Sequence, residues 1–140
     1  MSMLIGTLLA LAVCAMTRLA GLDRDRALYP VILIVIASYY CLFAVMAGSS
    51  TALWSDAGIA LLFTVAAIIG FRRSPWLIAA ALAAHGVMDL FHHQLVANAG
   101  VPPWWPGFCS AFDITAAIWF GISLAMDCRS ARLAPASAGE

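Results

Sequence analysis

Five long apolar stretches, separated by short polar breaks, dominate this chain of 140 residues. Each stretch is close to the roughly 20 apolar residues that a helix needs to cross a hydrocarbon core about 30 Å thick. The stretches lack the period-two alternation of membrane β-barrel strands. The sequence therefore predicts an all-α integral membrane bundle of five transmembrane helices, over residues 3–20, 28–47, 53–70, 75–98 and 107–128.

The composition agrees with this class of protein. Hydrophobic residues make up 64% of the chain and charged residues only 10%, whereas average soluble domains carry about 25% charged residues. A chain of this size cannot bury so much apolar surface inside a water-soluble core. The composition therefore excludes an ordinary soluble domain, a disordered chain and a partner for nucleic acid.

The basic residues predict the orientation. All seven are arginines, and they occur at the first break, the third break and the C-terminal tail: Arg18, Arg24, Arg26, Arg72, Arg73, Arg129 and Arg132. Basic loops are typically cytoplasmic, so we expect the N-terminus outside and the C-terminus in the cytoplasm of a multi-pass protein of the bacterial inner membrane. Residues 1–129 are predicted to form one transmembrane domain, and residues 130–140 a short disordered cytoplasmic tail.

The fourth apolar stretch carries most of the polar side chains. Ionisable residues within hydrocarbon cost several kcal/mol unless they are paired or hydrated, which makes each a functional candidate. At about 100° per residue, His85, Asp89 and His92 lie on one face of a helix, with His93 at the edge of that face. The spacing therefore predicts a polar stripe on this helix.

Neighbouring stretches place further polar residues at a similar height. Asp113 begins a ridge with Ala117 and Gly121, the small-residue spacing that favours close helix contact. We therefore expect Asp113 to face the fourth helix, level with His92 and His93. Supporting groups at the same end are Asp56, Ser38 and Tyr39.

Imidazoles and carboxylates on facing helices suggest a metal site. We expect His92, His93, Asp113 and Asp89 to hold a divalent metal, either zinc or iron. Asp89 and His85 are the candidate catalytic residues: Asp89 is a further ligand or the general base, and the deeper His85 orients it. A proton relay and simple helix packing are alternative roles for the same stripe.

Two local resemblances point to the same chemistry. The segment from Asp89 to His93 resembles the His-x2-His-His box of membrane fatty-acid hydroxylases and desaturases, with Asp89 in the first histidine's place, and His85-x3-Asp89 resembles their His-x3-His box. The His/Asp set is also similar to that of alkaline-ceramidase-like membrane hydrolases, which hold zinc. The chain as a whole resembles small bacterial inner-membrane proteins. These resemblances imply a metal-dependent reaction on a lipid-like substrate.

Together these features predict a metal-dependent membrane enzyme, either a hydrolase or an oxidoreductase, with its site in the outer-leaflet half. Its expected partners are membrane lipid and a lipid-like or small hydrophobic substrate. The proline-rich loop 97–109 is expected to anchor at the membrane surface through Trp104 and Trp105, and the alternative is a rigid lip over the site. The alternatives are a proton-coupled transporter and a non-catalytic subunit of a membrane complex. A homo-oligomer is a further alternative, because a lipid-facing ridge and a subunit interface look alike in sequence.

Overall fold

A computed structural model describes residues 1–24 and 27–133, with side chains to residue 130. The described residues form five helices and no strand: α1 (Ser2–Ala20), α2 (Leu28–Met46), α3 (Ser50–Arg73), α4 (Pro75–Leu95) and α5 (Trp105–Leu133). The predicted all-helical fold with five helices is therefore confirmed. Arg26 and residues 134–140 of the predicted tail lie outside the described residues.

The helix ends follow local capping signals. Ser49 precedes α3, and its side-chain oxygen accepts a hydrogen bond of 3.2 Å from the backbone N–H of Ala52, as an N-cap does. Ser74 alone separates α3 from α4, and Pro75 occupies the first position of α4, where a backbone N–H is not needed. At the other ends, α4 stops at Leu95, earlier than predicted, and α5 continues to Leu133, beyond the predicted tail boundary.

The helix α4 lies at the centre of the packing. It contacts α2, α3 and α5, while α2 packs on α3 and α1 packs on α5. This position explains how α4 can carry so many polar residues, since its neighbours shield them from the surroundings. The main hydrophobic core lies between these helices and includes Leu33, Ile78, Leu82, Ala116 and Phe120.

The outer surface of the bundle is that of a membrane protein. Four helices are long and apolar enough to span a bilayer: α1, α2, α3 and residues Trp105–Ser130 of α5. The polar residues of α4 lower its hydropathy and leave it outside that set. Large aliphatic side chains are exposed around the bundle, among them Leu8, Leu61, Leu62, Ile68 and Ile118. Tyr29, near the start of α2, is buried and stacked on Phe120.

A single glycine sets the close approach of α4 to α5. A Cβ atom on Gly86 would lie 3.0 Å from the backbone oxygen of Ser110 and 3.1 Å from the Cβ of Asp113. Any larger side chain would therefore push the two helices apart. Because Gly86 follows His85 directly, this contact also determines how near His85 comes to α5.

Candidate functional site

Three ligand-type side chains meet in the middle of the bundle. Nδ1 of His85 lies 2.7 Å from Oδ2 of Asp113, a hydrogen bond, and 3.5 Å from Oδ2 of Asp89. All three residues have no exposed surface. Their ligand atoms lie within 4.8 Å of one another, close enough to hold a metal ion. We call His85, Asp89 and Asp113 the central cluster.

The helix faces explain why these residues meet. His85 and Asp89 are four residues apart on α4 and share a face, which is buried against α5. Asp113 faces inward with the buried Ala117, while Ile118 is exposed on the opposite side of α5. The prediction that Asp113 points toward the fourth helix is therefore confirmed.

A tyrosine of α2 completes the central cluster. The hydroxyl of Tyr40 donates a hydrogen bond of 2.7 Å to Oδ1 of Asp89, and both groups are buried. Tyr40 is not among the site residues predicted from the sequence. A signal was present, because Tyr40 continues the buried stripe of α2 formed by Leu33, Ala37 and Ala44.

The two residues predicted as supporting donors on α2 lie elsewhere. The Ser38 hydroxyl is exposed and donates to the backbone oxygen of Val35 within its own helix. The ring of Tyr39 packs edge-on against Trp105. The assignment of Ser38 and Tyr39 to the site is therefore wrong, because one residue along a helix turns a side chain by about 100°.

A second polar group lies about two turns farther along α4. Nε2 of His92 lies 2.8 Å from Oδ1 of Asp56, and the side-chain amide of Asn98 donates to the other oxygen of Asp56 at 2.7 Å. The same amide nitrogen donates to the backbone oxygen of Tyr40 at 3.0 Å. We call Asp56, His92 and Asn98 the cavity cluster, because two of its members line a cavity described below.

Tyr40 connects the two clusters. Its hydroxyl contacts Asp89, its backbone oxygen contacts Asn98, and its ring stacks on that of His92 with centroids 3.7 Å apart. The two clusters are therefore joined through Tyr40, by its hydrogen bonds to Asp89 and Asn98 and by its ring contact with His92.

The predicted grouping of His92, His93 and Asp113 around one metal is wrong. His92 pairs with Asp56, and His93 is exposed. The prediction gave Asp113 the wrong depth in the bundle. Helix α5 begins at Trp105, so Asp113 lies more than two turns inside it. Asp113 is therefore level with His85, about 10 Å along α4 from His92 at 1.5 Å per residue.

The central cluster has polar atoms without a hydrogen bond and, among the described residues, no arginine partner. Nε2 of His85, Oδ2 of Asp89 and Oδ1 of Asp113 are buried and make no hydrogen bond. Among the described residues, three aspartates and two histidines are buried, and no arginine is buried with them. Even with both histidines protonated, the carboxylates leave one excess negative charge, which a bound cation or an added proton would offset.

The spacing of the ligand atoms allows a metal after a small adjustment. A tetrahedral site with bonds of about 2.0–2.2 Å holds neighbouring ligand atoms roughly 3.3 Å apart. The separation of His85 from Asp89 is already close to that value, at 3.5 Å. The 2.7 Å between His85 and Asp113 is a hydrogen-bond distance, so a metal would have to replace that proton and move the two groups slightly apart.

A cavity of about 680 Å³ opens beside the cavity cluster. The polar side chains on its wall are His92, His93 and Asn98, and its other lining residues, in α4, α5 and the loop between them, have apolar side chains or none. Three prolines of that loop line it: Pro102, Pro103 and Pro106. Trp104 is exposed and does not line this cavity.

An apolar layer closes the opposite side of the central cluster. Beyond His85 and Asp113, the buried residues from three helices are Ala37, Leu33, Leu82, Ile78, Ala116 and Phe120. The edge of the Phe63 ring also covers His85, with ring centroids 4.7 Å apart. This layer separates the central cluster from a second group of polar side chains at the other end of the bundle, where Arg18, Asp23 and Asp127 line a separate cavity.

No family model matches this chain, and neither the curated proteins nor the solved structures include a significant match.

Proposed function

We propose that this chain is a metal-dependent enzyme embedded in the membrane, with His85, Asp89 and Asp113 as the metal ligands. The observation that carries the proposal is the central cluster itself. It brings two carboxylates and one imidazole within 4.8 Å of one another, with no buried arginine among the described residues and with one atom on each that makes no hydrogen bond. Such a set offers three ligands and leaves a position for water or substrate, as catalytic zinc sites do.

The nitrogen and oxygen ligands suit zinc or iron. A divalent ion bound here would supply Lewis acidity and would activate water at neutral pH. The chain's own residues would orient the reacting groups: Tyr40 holds one oxygen of Asp89 in place, so that the other can serve as a ligand or accept a proton. His85, assigned an orienting role from its depth, is a ligand in this proposal.

The cavity supports a substrate that is lipid-like or small and hydrophobic. It adjoins the polar groups at one end, while its remaining wall is mostly apolar. The apolar layer beyond the central cluster favours a site reached from one side over a pathway across the bundle. A proton-coupled transporter is the alternative, and the apolar layer between the central cluster and the polar cavity at the Arg18 end is the observation against it.

We further propose that all five helices cross the bacterial inner membrane, with both the N-terminus and the cavity on the outer side. The pairing of Gly6 on α1 with the backbone of Phe108 places the N-terminus at the cavity end of the bundle. Arg18 lies in the last turn of α1, and Arg72 and Arg73 lie in the last turn of α3. These helix ends are the ones far from the cavity. The positive-inside rule then supports a cytoplasmic C-terminus.

The test is metal content combined with a spectroscopic probe. The full chain would be purified in dodecyl maltoside, stripped with chelator and titrated with Zn²⁺, Fe²⁺ and Co²⁺. We expect about one equivalent of metal, and Co²⁺ should give visible absorption bands typical of a nitrogen- and oxygen-ligated site. Asp113→Asn should lose the bound metal, whereas the control His93→Gln, at an exposed residue, should keep it. Wild-type protein that binds none of these ions would overturn the proposal.

A further inference from the structure

We infer that the cavity beside His92 and His93 binds a single-chain amphiphile with an anionic head group, either a carboxylate or a phosphate. This inference rests on the proposed function and deepens it by naming the substrate class. It is carried by the polar groups on the wall of the cavity and by the apolar helix surface that leads away from it.

The cavity wall provides groups that can be donors or cations but no acid. Two imidazoles, His92 and His93, line it, whereas Asp56 lies behind His92 and is not part of the wall. No other Asp or Glu side chain lines this cavity among the described residues. A head group with acceptor oxygens and negative charge therefore complements the wall, while a cationic head group would not.

His92 is held so that one ring nitrogen remains available. Only 2% of the residue is exposed, its Nε2 is engaged by Asp56, and its ring is fixed against Tyr40. Nδ1 makes no hydrogen bond to any described residue. With Nε2–H donated to Asp56, Nδ1 donates to an acceptor oxygen when the ring is protonated, and the fixed ring then requires no further ordering.

Asn98 contributes by holding the loop rather than by binding the ligand. Its amide nitrogen donates to Asp56 and to the backbone of Tyr40, and its oxygen accepts from the backbone N–H of Gly100. Its hydrogen-bonding groups are therefore engaged within the protein. The two histidines are left as the side chains that can recognise a head group.

An exposed apolar surface of α4 next to the cavity can hold the acyl chain of the ligand. Leu90 lines the cavity, and Phe91 and Val87 continue the exposed apolar face of α4 away from it. An acyl chain could lie along this face with its head group at the histidines. A free inorganic anion would leave this surface unused, which favours an amphiphile as the occupant.

The probes are laurate, dodecyl phosphate and uncharged dodecanol, which share a chain of twelve carbons. Each would be titrated into the full chain in dodecyl maltoside, and bound amphiphile would be counted by native mass spectrometry. We expect laurate or dodecyl phosphate to bind at least about tenfold more tightly than dodecanol, the size of one charge-assisted contact. The ranking of laurate against dodecyl phosphate identifies which head group is preferred.

Three variants locate the contact. His93→Gln should weaken the anionic probe about tenfold and leave dodecanol unchanged, and Ala97→Phe should weaken all three probes by filling the cavity. Gln94→Ala, an exposed neighbour on α4 that does not line the cavity, is the matched control and should have no effect. Equal binding of the three probes, or binding that Ala97→Phe leaves intact, would overturn the inference.

Metal content measured on the same samples separates this inference from the proposed function. Protein that holds metal and shows no preference for the anionic probes contradicts only the assignment of the cavity. Protein that binds these amphiphiles through His93 and takes up no metal contradicts only the metal centre. Both wild-type measurements are independent of whether any one variant folds.

Discussion

Tyr40 on α2 donates a hydrogen bond of 2.7 Å to Asp89 on α4. This bond connects α2 to the candidate metal ligands, which lie on α4 and α5. The same tyrosine stacks on His92, which lines the cavity. One residue therefore fixes the relative position of the central cluster and the cavity cluster. Its side chain has two separable roles, since the hydroxyl serves one cluster and the ring the other.

Removing only the hydroxyl tests the first role. Tyr40→Phe should keep the stacking with His92 but leave Oδ1 of Asp89 buried without a donor, which costs about 1–3 kcal/mol. Tyr39→Phe is the matched control, because the Tyr39 hydroxyl makes no hydrogen bond to a described residue. Chemical unfolding in detergent should show a loss for the first variant alone. Equal losses would mean that the bond to Asp89 contributes nothing.

The approach of α4 to α5 depends on the absence of a side chain at one position. Gly86→Val should press against Ser110 and Asp113, separate the helices, lower stability by about 1–3 kcal/mol and reduce metal binding. Gly58→Val is the control, because a Cβ there meets no atom within 4 Å and valine has a better helix propensity than glycine. Unfolding curves and metal content together report the result. An unchanged Gly86→Val protein would contradict the tight contact.

The sequence predicted the helices and the inward faces, because both follow from local rules. Hydrophobic run lengths predicted five helices, the 3.6-residue period placed His85 and Asp89 on one face, and the ridge from Asp113 to Ala117 predicted contact with α4. The pairing between helices was not predictable in this way. It depends on where each helix begins, and the start of α5 placed Asp113 level with His85 instead of His92.

The orientation of α2 about its own axis was also not predictable from the sequence pattern that was used. Ser38, Tyr39 and Tyr40 are consecutive polar residues, and only tertiary packing decides which of them faces α4. The buried stripe through Leu33, Ala37 and Ala44 would have favoured Tyr40. Periodicity along one helix therefore predicts which residues share a face, while partners across helices require the packed structure.

The pairing of His92 with Asp56 makes a prediction about coupling. A double-mutant cycle with Asp56→Ala and His92→Ala should give an interaction energy of about 0.5–3 kcal/mol, because the side chains lie 2.8 Å apart and are both buried. The corresponding cycle with His93→Ala should be close to additive, since His93 is exposed and has no bond to Asp56. Free energies of unfolding for the single and double variants provide both values. Coupling to His93 as strong as to His92 would contradict the observed pairing.

Metal binding should increase the free energy of unfolding, because the three ligands belong to two helices that separate when the protein unfolds. An ion that binds only the folded chain stabilises it by about 2.7 kcal/mol when its free concentration is 100 times the dissociation constant. Adding Zn²⁺ should therefore raise the unfolding midpoint of chelator-treated protein in a concentration-dependent way. Asp89→Asn and Asp113→Asn should abolish the increase, while Asp56→Asn, which changes the cavity cluster, should retain it. Because Asp56 is also a buried carboxylate paired with a histidine, an increase lost equally in all three variants would indicate a general effect of charge rather than a metal held by the central cluster.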